Sequence, residues 1–183
     1  YLFTATVNKG TYILEPSCLE YWSIKEECDV AKDLIHLLLE QDEPMYGYIA
    51  DGYWCDVGHL DAYREAQYDG LNKAVILDYA YEEHKPGIWI GQNTFIEPSA
   101  KIEAPALIGS NCRIGQRVHI EAGTVIGDNV TVGADADLKR PILWNGSIIG
   151  EDFHLRACVI SRGPRVDRRA HVLQGPVAGP LCT

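Results

Sequence analysis

The sequence predicts an incomplete α/β unit over residues 1–83 followed by a parallel β-helix over residues 84–178. Three observations carry that reading. An aliphatic residue fills every sixth position from Ile90 to Leu138. Charge is split along the chain: residues 1–86 hold 6 basic and 17 acidic side chains, residues 87–183 hold 10 and 9. The first eighty residues alternate strand and helix signals without any period.

The aliphatic series is Ile90, Ile96, Ile102, Ile108, Ile114, Ile120, Ile126, Val132 and Leu138. Two residues before each stands something small or β-branched, such as Thr94, Ala106, Cys112, Val118 or Thr124. Spacing by two puts both residues on one face of a short strand. Gly follows the aliphatic at 91, 109, 115, 127 and 133, where a corner needs a positive φ or close packing. One hexad is thus a strand and a corner. Three corners close a triangular coil, and stacked coils make a parallel β-helix with the aliphatic column as its core. Lys139-Arg140-Pro141 interrupts the series, which resumes one residue early at Leu143, Ile149 and Leu155. It slips again to Ile160, Val166 and Val172. Fifteen hexads predict about five coils, with Pro176–Thr183 as a frayed tail.

In the first unit, Thr11–Leu14 reads as a strand. Pro16 opens a helix at the position where its missing N–H costs nothing. Asp29 is placed to cap a helix running to Glu40, with Val30, Leu34, Leu37 and Leu38 on its apolar face. Met45–Ala50 and Tyr53–Val57 read as strands around an Asp51-Gly52 turn, and Asp61–Leu71 as a helix. The set is too short for a complete α/β domain. The charge break sets the joint near Lys85-Pro86-Gly87.

Composition narrows the partners. The net charge of −10 argues against general binding to nucleic acid or to an anionic membrane. No run approaches the ~18 apolar residues of a membrane span. The opening Tyr1-Leu2-Phe3-Thr4-Ala5 lacks the basic start of a secretory signal. Cysteines 18, 28, 55, 112, 158 and 182 have no CxxC spacing, and are expected as thiols of a reducing, cytoplasmic compartment.

Specific motifs then point to a family. Asn8-Lys9-Gly10-Thr11-Tyr12-Ile13-Leu14-Glu15-Pro16 resembles the N-x-G-x-Y-x-L-x-P strand of sugar-1-phosphate nucleotidyltransferases. Lys32-Asp33-Leu34-Ile35 resembles a helix start in the same proteins. Gly52-Tyr53-Trp54-Cys55-Asp56-Val57-Gly58, with Tyr63 and Ala66 beyond it, resembles their W-x-D-x-G segment. A hexad repeat directly C-terminal completes the order of the bacterial branch resembling mannose-1-phosphate guanylyltransferase. The resemblance implies the C-terminal part of a Rossmann-like catalytic domain and a left-handed β-helix; the hand comes from the resemblance alone, since parallel crossovers are otherwise right-handed. It implies nucleotidyl transfer from a nucleoside triphosphate to a sugar 1-phosphate, with GTP and mannose 1-phosphate favoured. Mg²⁺ is the implied cofactor, with Asp56 as its ligand and Asn8 as a sugar contact. The residue types suit those tasks: a carboxylate for a hard ion, an amide that donates and accepts for hydroxyls.

One departure is large. The family's glycine-rich nucleotide-binding loop, and the first metal-binding Asp after it, have no counterpart in these residues, so the chain alone is expected to be inactive. A non-catalytic regulatory or assembly subunit is the alternative, and homo-oligomerisation through the β-helix is expected in either case. Hexad acyltransferases would need a prism His such as His119, His154 or His171, and a hexad carbonic anhydrase an H-x4-H pair that is absent. Lys9 is expected to be solvated, and His59 has no assigned role. Arg162, Arg165, Arg168 and Arg169 are expected to form a solvated corner.

Overall fold

The structure is a computed structural model of the chain. It describes residues 7–21, 29–161, 165–166 and 171–177, the last two segments by their backbone. Two compact units result, Tyr1–Asp56 and Val57–Thr183.

The hexads fold as their period demands. Strands eighteen residues apart pair in parallel: Ile88, Trp89 and Ile90 register with Ala106, Leu107 and Ile108, and these with Thr124, Val125 and Ile126. Three ladders form in this way. Face 1 carries Ile88–Ile90, Ala106–Ile108, Thr124–Ile126, Ile142–Leu143 and the end of His154–Ile160. Face 2 carries Phe95–Ile96, Arg113–Ile114, Thr131–Val132, Ile148–Ile149 and Arg165–Val166. Face 3 carries Lys101–Ile102, His119–Ile120, Asp137–Lys139, the start of His154–Ile160 and the strand His171–Val177. The described residues make about four coils, and the last strands extend the ladders into a fifth. His171–Val177 pairs through Pro176 and Val177, so the strand enters the segment expected to fray.

The column points inward from Ile108 to Ile160. Ile108, Ile120, Ile126, Leu138 and Ile160 are fully buried, and Ile114, Leu143, Ile149 and Leu155 nearly so. Both slips keep the core in register. Leu143 pairs with Ile126, Leu155 with Leu138 and Ile160 with Leu143. A residue lost at a corner shortens the corner, whereas one lost within a strand would turn its inward side chains out. The small positions are filled as expected by Ala106, Cys112, Val118 and Ala136, all buried. Where a polar side chain takes such a position it bonds a corner carbonyl. Thr124 Oγ1 donates to Glu121 O at 2.7 Å and Ser147 Oγ to Trp144 O at 2.6 Å, so burial leaves neither hydroxyl unmet.

The corners divide two tasks that the sequence reading gave to one glycine. The glycines after the aliphatics serve close packing. A Cβ on Gly115 would lie 2.8 Å from Ala134 N, and one on Gly133 2.7 Å from Glu151 N, both backbone of the next coil. The positive φ falls elsewhere, three residues after the aliphatic, at Asn93, Asn111, Arg117, Asn129, Asp135 and Asp152. Asn and Asp tolerate that conformation because their short polar side chains bond locally.

The strand Glu82–Lys85 lies antiparallel on Ile88–Ile90 and covers the first rung of face 1. Helix α2, Leu60–Leu71, is part of the same compact unit as the coils. Its N-cap is His59, whose Nδ1 accepts from Ala62 N at 3.2 Å, a role the sequence reading did not assign.

The first unit keeps its helices and loses its strands. Pro16–Tyr21 is a 3₁₀ helix. A π-helical turn, Val30–Leu34, runs into α1, Ile35–Glu40. Asp29 caps it as expected: Oδ1 accepts from Ala31 N and Lys32 N, both at 2.8 Å, while Asp33 Oδ2 accepts from Asp29 N at 2.7 Å. Thr11–Leu14, Met45–Ala50 and Tyr53–Val57 form no regular strand. A strand is defined by its ladder, and these segments have no ladder partner among the described residues.

Candidate functional site

Asn8 opens a tight turn in which Gly10 has φ +72°. Its Oδ1 accepts from Gly10 N at 2.9 Å and its Nδ2 donates to the Tyr12 hydroxyl at 2.7 Å. The amide thus holds its own turn, and keeps one N–H and one lone pair for another group. Lys9 is not simply solvated, because its Nζ donates to Ala50 O at 3.1 Å. That bond ties the Asn8 turn to the segment leading into the Asp51-Gly52 turn, where Gly52 has φ +104°. Trp54 and Asp56 follow, both exposed.

Asp56 is a solvent-facing carboxylate. No group of three or more His, Cys, Asp or Glu side chains among the described residues is arranged to hold a metal ion. A lone carboxylate is a partial donor set. It fits Mg²⁺ in kind, because that ion keeps several waters and takes one or two carboxylates alongside phosphate oxygens rather than a full protein cage.

The second unit holds a richer cluster, which the sequence reading missed. Its signal is a second column at the same spacing. The outward residues of face 1 are Trp89, Leu107, Val125, Ile142 and Val159, all apolar, whereas those of face 3 are Lys101, His119, Asp137 and His154. An apolar stripe on the outside of a prism requires a cover, and α2 and residues 72–81 provide one. Tyr68 OH donates to Arg140 O at 2.8 Å, and the Arg140 guanidinium stacks 4.1 Å over the Tyr68 ring. Tyr79 packs 4.5 Å from Trp89. Tyr63 meets Trp144 edge-on and accepts from its Nε1 at 3.1 Å. Tyr81 OH donates to Asp128 Oδ1 at 2.9 Å; burial, and then this bond, push its phenol up to about 12. The interruption Lys139-Arg140-Pro141 is therefore an anchor point for α2.

Face 3 is an ionic ladder. His119 Nε2 lies 3.1 Å from Glu103 Oε1, and its Nδ1 3.1 Å from Asp137 Oδ1. The Glu103 carboxylate, assisted by Asp137 and opposed by partial burial, raises the His119 pKa. Lys139 Nζ reaches Asp137 at 3.1 Å, and with His119 it holds the Asp137 carboxyl low despite the burial that would raise it. His119 points outward, as its place beside Ile120 requires.

Two segments of the chain match models of known families. Residues 3–73 match the nucleotidyl transferase model, and residues 87–121 and 105–136 the bacterial transferase hexapeptide model. The chain thus joins a nucleotidyl transferase segment to a hexapeptide-repeat β-helix. Its relatives are sugar-1-phosphate nucleotidyltransferases. It is similar to a glucose-1-phosphate adenylyltransferase of Acetivibrio thermocellus, 24% identical over 90% of the chain and 40% of that protein. A UTP–glucose-1-phosphate uridylyltransferase of Synechocystis is 29% identical over 56% of the chain and 32% of that protein. A mannose-1-phosphate guanyltransferase of Debaryomyces hansenii is 30% identical over 52% of the chain and 26% of that protein. The chain spans less than half the length of the curated relatives it matches. No helix among the described residues is long and apolar enough to cross a membrane.

Proposed function

We propose that these residues are the C-terminal portion of an enzyme that transfers a nucleotidyl group from a nucleoside triphosphate to a sugar 1-phosphate, releasing pyrophosphate. One observation carries the reading: a nucleotidyl transferase segment over residues 3–73 leads directly into the hexapeptide repeat. GTP and mannose 1-phosphate are the favoured pair, because motif order resembles that branch and a mannose-1-phosphate guanyltransferase is among the relatives. Glucose 1-phosphate with ATP or UTP is the competing pair, on the names of the other two.

In this reading Asn8 orients the sugar with the N–H and lone pair its turn leaves over. Asp56 would hold Mg²⁺, which supplies charge neutralisation at the phosphates. Lys9, bonded to Ala50 O, fixes the spacing between the Asn8 turn and the chain that leads to Asp56. The coils bring copies of the chain together, and the parent protein works in the cytoplasm without nucleic acid or membrane as partner.

The test uses a full-length parent and measures pyrophosphate release with each sugar 1-phosphate and triphosphate pair. The expected result is highest kcat/KM for mannose 1-phosphate with GTP, and a loss of at least about tenfold in turnover for Asp56→Asn, or about 1.4 kcal/mol of barrier. Normal turnover of that variant at limiting Mg²⁺ would remove Asp56 from the metal site. The 183-residue chain alone is expected to be silent, and turnover by it would contradict the need for a separate phosphate-binding loop.

A further inference from the structure

The apolar stripe on face 1 is sealed at both ends and open in the middle. Trp89 is 4% exposed beneath Tyr79, and Ile142 and Val159 are 2% and 5% exposed at the other end. Leu107 and Val125, between them, are only half-buried. They form the floor, with Ile142, of a cleft of about 500 Å³ whose walls are Tyr63, Tyr81 and Trp144. That volume lies within the range of small-molecule sites, ~300–1,000 Å³, which are typically apolar and aromatic with a few fixed polar groups.

The chemistry of the lining selects its ligand. No Lys, Arg, His, Asp or Glu side chain lines the cleft. Its polar groups are two phenols and an amide, and their existing bonds determine what they can still offer. Tyr81 is committed as a donor to Asp128. Tyr63 accepts from Trp144 Nε1, which leaves its own O–H to donate. Asn145 accepts at Oδ1 from Asp128 N at 2.9 Å, which leaves its Nδ2 to donate. The cleft therefore presents a flat aliphatic floor, aromatic walls and uncharged donors at the rim. A phosphate placed there would lose water without gaining a cation, so the cleft does not suit the phosphorylated substrates of the proposed reaction.

We propose that this cleft binds an uncharged planar aromatic compound of one or two rings, with an acceptor on its edge for Tyr63 and Asn145. The ring lies on Leu107 and Val125, and its faces and edges meet the aromatic walls in the offset or edge-on geometries that such pairs prefer. The site does not depend on the nucleotidyl transfer reading, since it uses neither Asn8 nor Asp56.

The experiment titrates the 183-residue chain with nicotinamide and with adenosine, both uncharged, planar and carrying edge acceptors, following tryptophan fluorescence, with cyclohexanol as an uncharged non-planar control. Saturable quenching by at least one aromatic probe at millimolar or lower concentration is expected, with cyclohexanol at least tenfold weaker. Val125→Arg places a charged chain across an outward floor position, and should abolish saturation while the melting temperature holds. If that variant melts early, Trp144→Ala, at a side chain 45% exposed, repeats the test by ligand-observed NMR, and binding should again be lost. Absence of saturation by both aromatic probes would overturn the proposal. So would quenching that survives Val125→Arg, which places the ligand at another tryptophan. A concentration-dependent dimer that Val125→Arg dissociates would overturn it too, by making the cleft a contact between copies.

Discussion

The two units bury their apolar residues to very different degrees. Among the described residues between 7 and 57 the large hydrophobics that are buried are Leu34 and Leu38, while Ile13, Tyr46 and Tyr48 stand more than nine-tenths exposed. Between residues 106 and 160 the inward column is buried at every step. The difference lies in where each apolar residue finds its partner. In the coils the partner is one turn away, eighteen or seventeen residues along the chain, so a periodic sequence supplies its own core. In the α/β unit a strand needs neighbours distant in sequence, and without them Met45–Ala50 forms no strand.

The largest expected effect sets the two regions directly against each other. Ile114→Asp puts a charge into the closed column, where Ile114 is 1% exposed, and should cost several kcal/mol, on the order of 3–5. Loss of the β signal in circular dichroism at ambient temperature is expected. Ile13→Asp, at a fully exposed site, should leave the spectrum and melting unchanged, and equal effects would erase the distinction.

Gly133→Ala probes the corners. The added Cβ meets backbone of the next coil at 2.7 Å, and should cost about 1–3 kcal/mol. Gly10→Ala has open space around it and strains only its positive φ, so its melting shift should be smaller.

Tyr68→Phe removes the hydroxyl that bonds Arg140 O but keeps the ring under the guanidinium. A loss of about 0.5–1.5 kcal/mol is expected, read as a lower melting temperature of the coils. A null result would mean that this hydrogen bond adds nothing to the hold on α2, leaving its ring contacts and the Tyr63–Trp144 bond.

The smallest effect is on pH. The folded pKa of His119 is raised above its ordinary value of 6.5, by Glu103 first and then Asp137. Its contribution to stability is therefore complete below about pH 6.5, and is lost as pH rises through the folded value. His119 faces Glu103 and Asp137 directly, with Lys101, Lys139 and His154 on the adjoining rungs. Melting temperature should fall slightly between pH 6 and 8, and His119→Gln should flatten that slope. A slope unchanged in the variant would assign it to other groups.

Legibility in the sequence follows the same division. The coils, both slips and the inward column could be read because a six-residue period is a local property. The outer column Trp89–Leu107–Val125–Ile142–Val159 was equally present in the residues, but shows only when every third hexad is compared. The positive φ positions could not be placed from glycine alone, because Asn and Asp carry most of them. In the first unit the caps were readable, Asp29 above all, since a cap is settled within four residues. The strands were not, because pairing depends on distant chain. Asn8 and Asp56 came from motif resemblance; the structure adds the hydrogen bonds of Asn8 and the exposure of Asp56.

The strand Glu82–Lys85 has a consequence for how such a solenoid avoids becoming a fibre. A parallel stack is a template, and its first rung would accept another copy's last rung as readily as its own second. On face 1 that first rung is occupied by a strand running the opposite way, with three charged residues among its four. An incoming parallel strand finds the hydrogen-bonding groups taken and the polarity reversed. On face 1, growth of the stack is therefore opposed by chain direction as well as by charge.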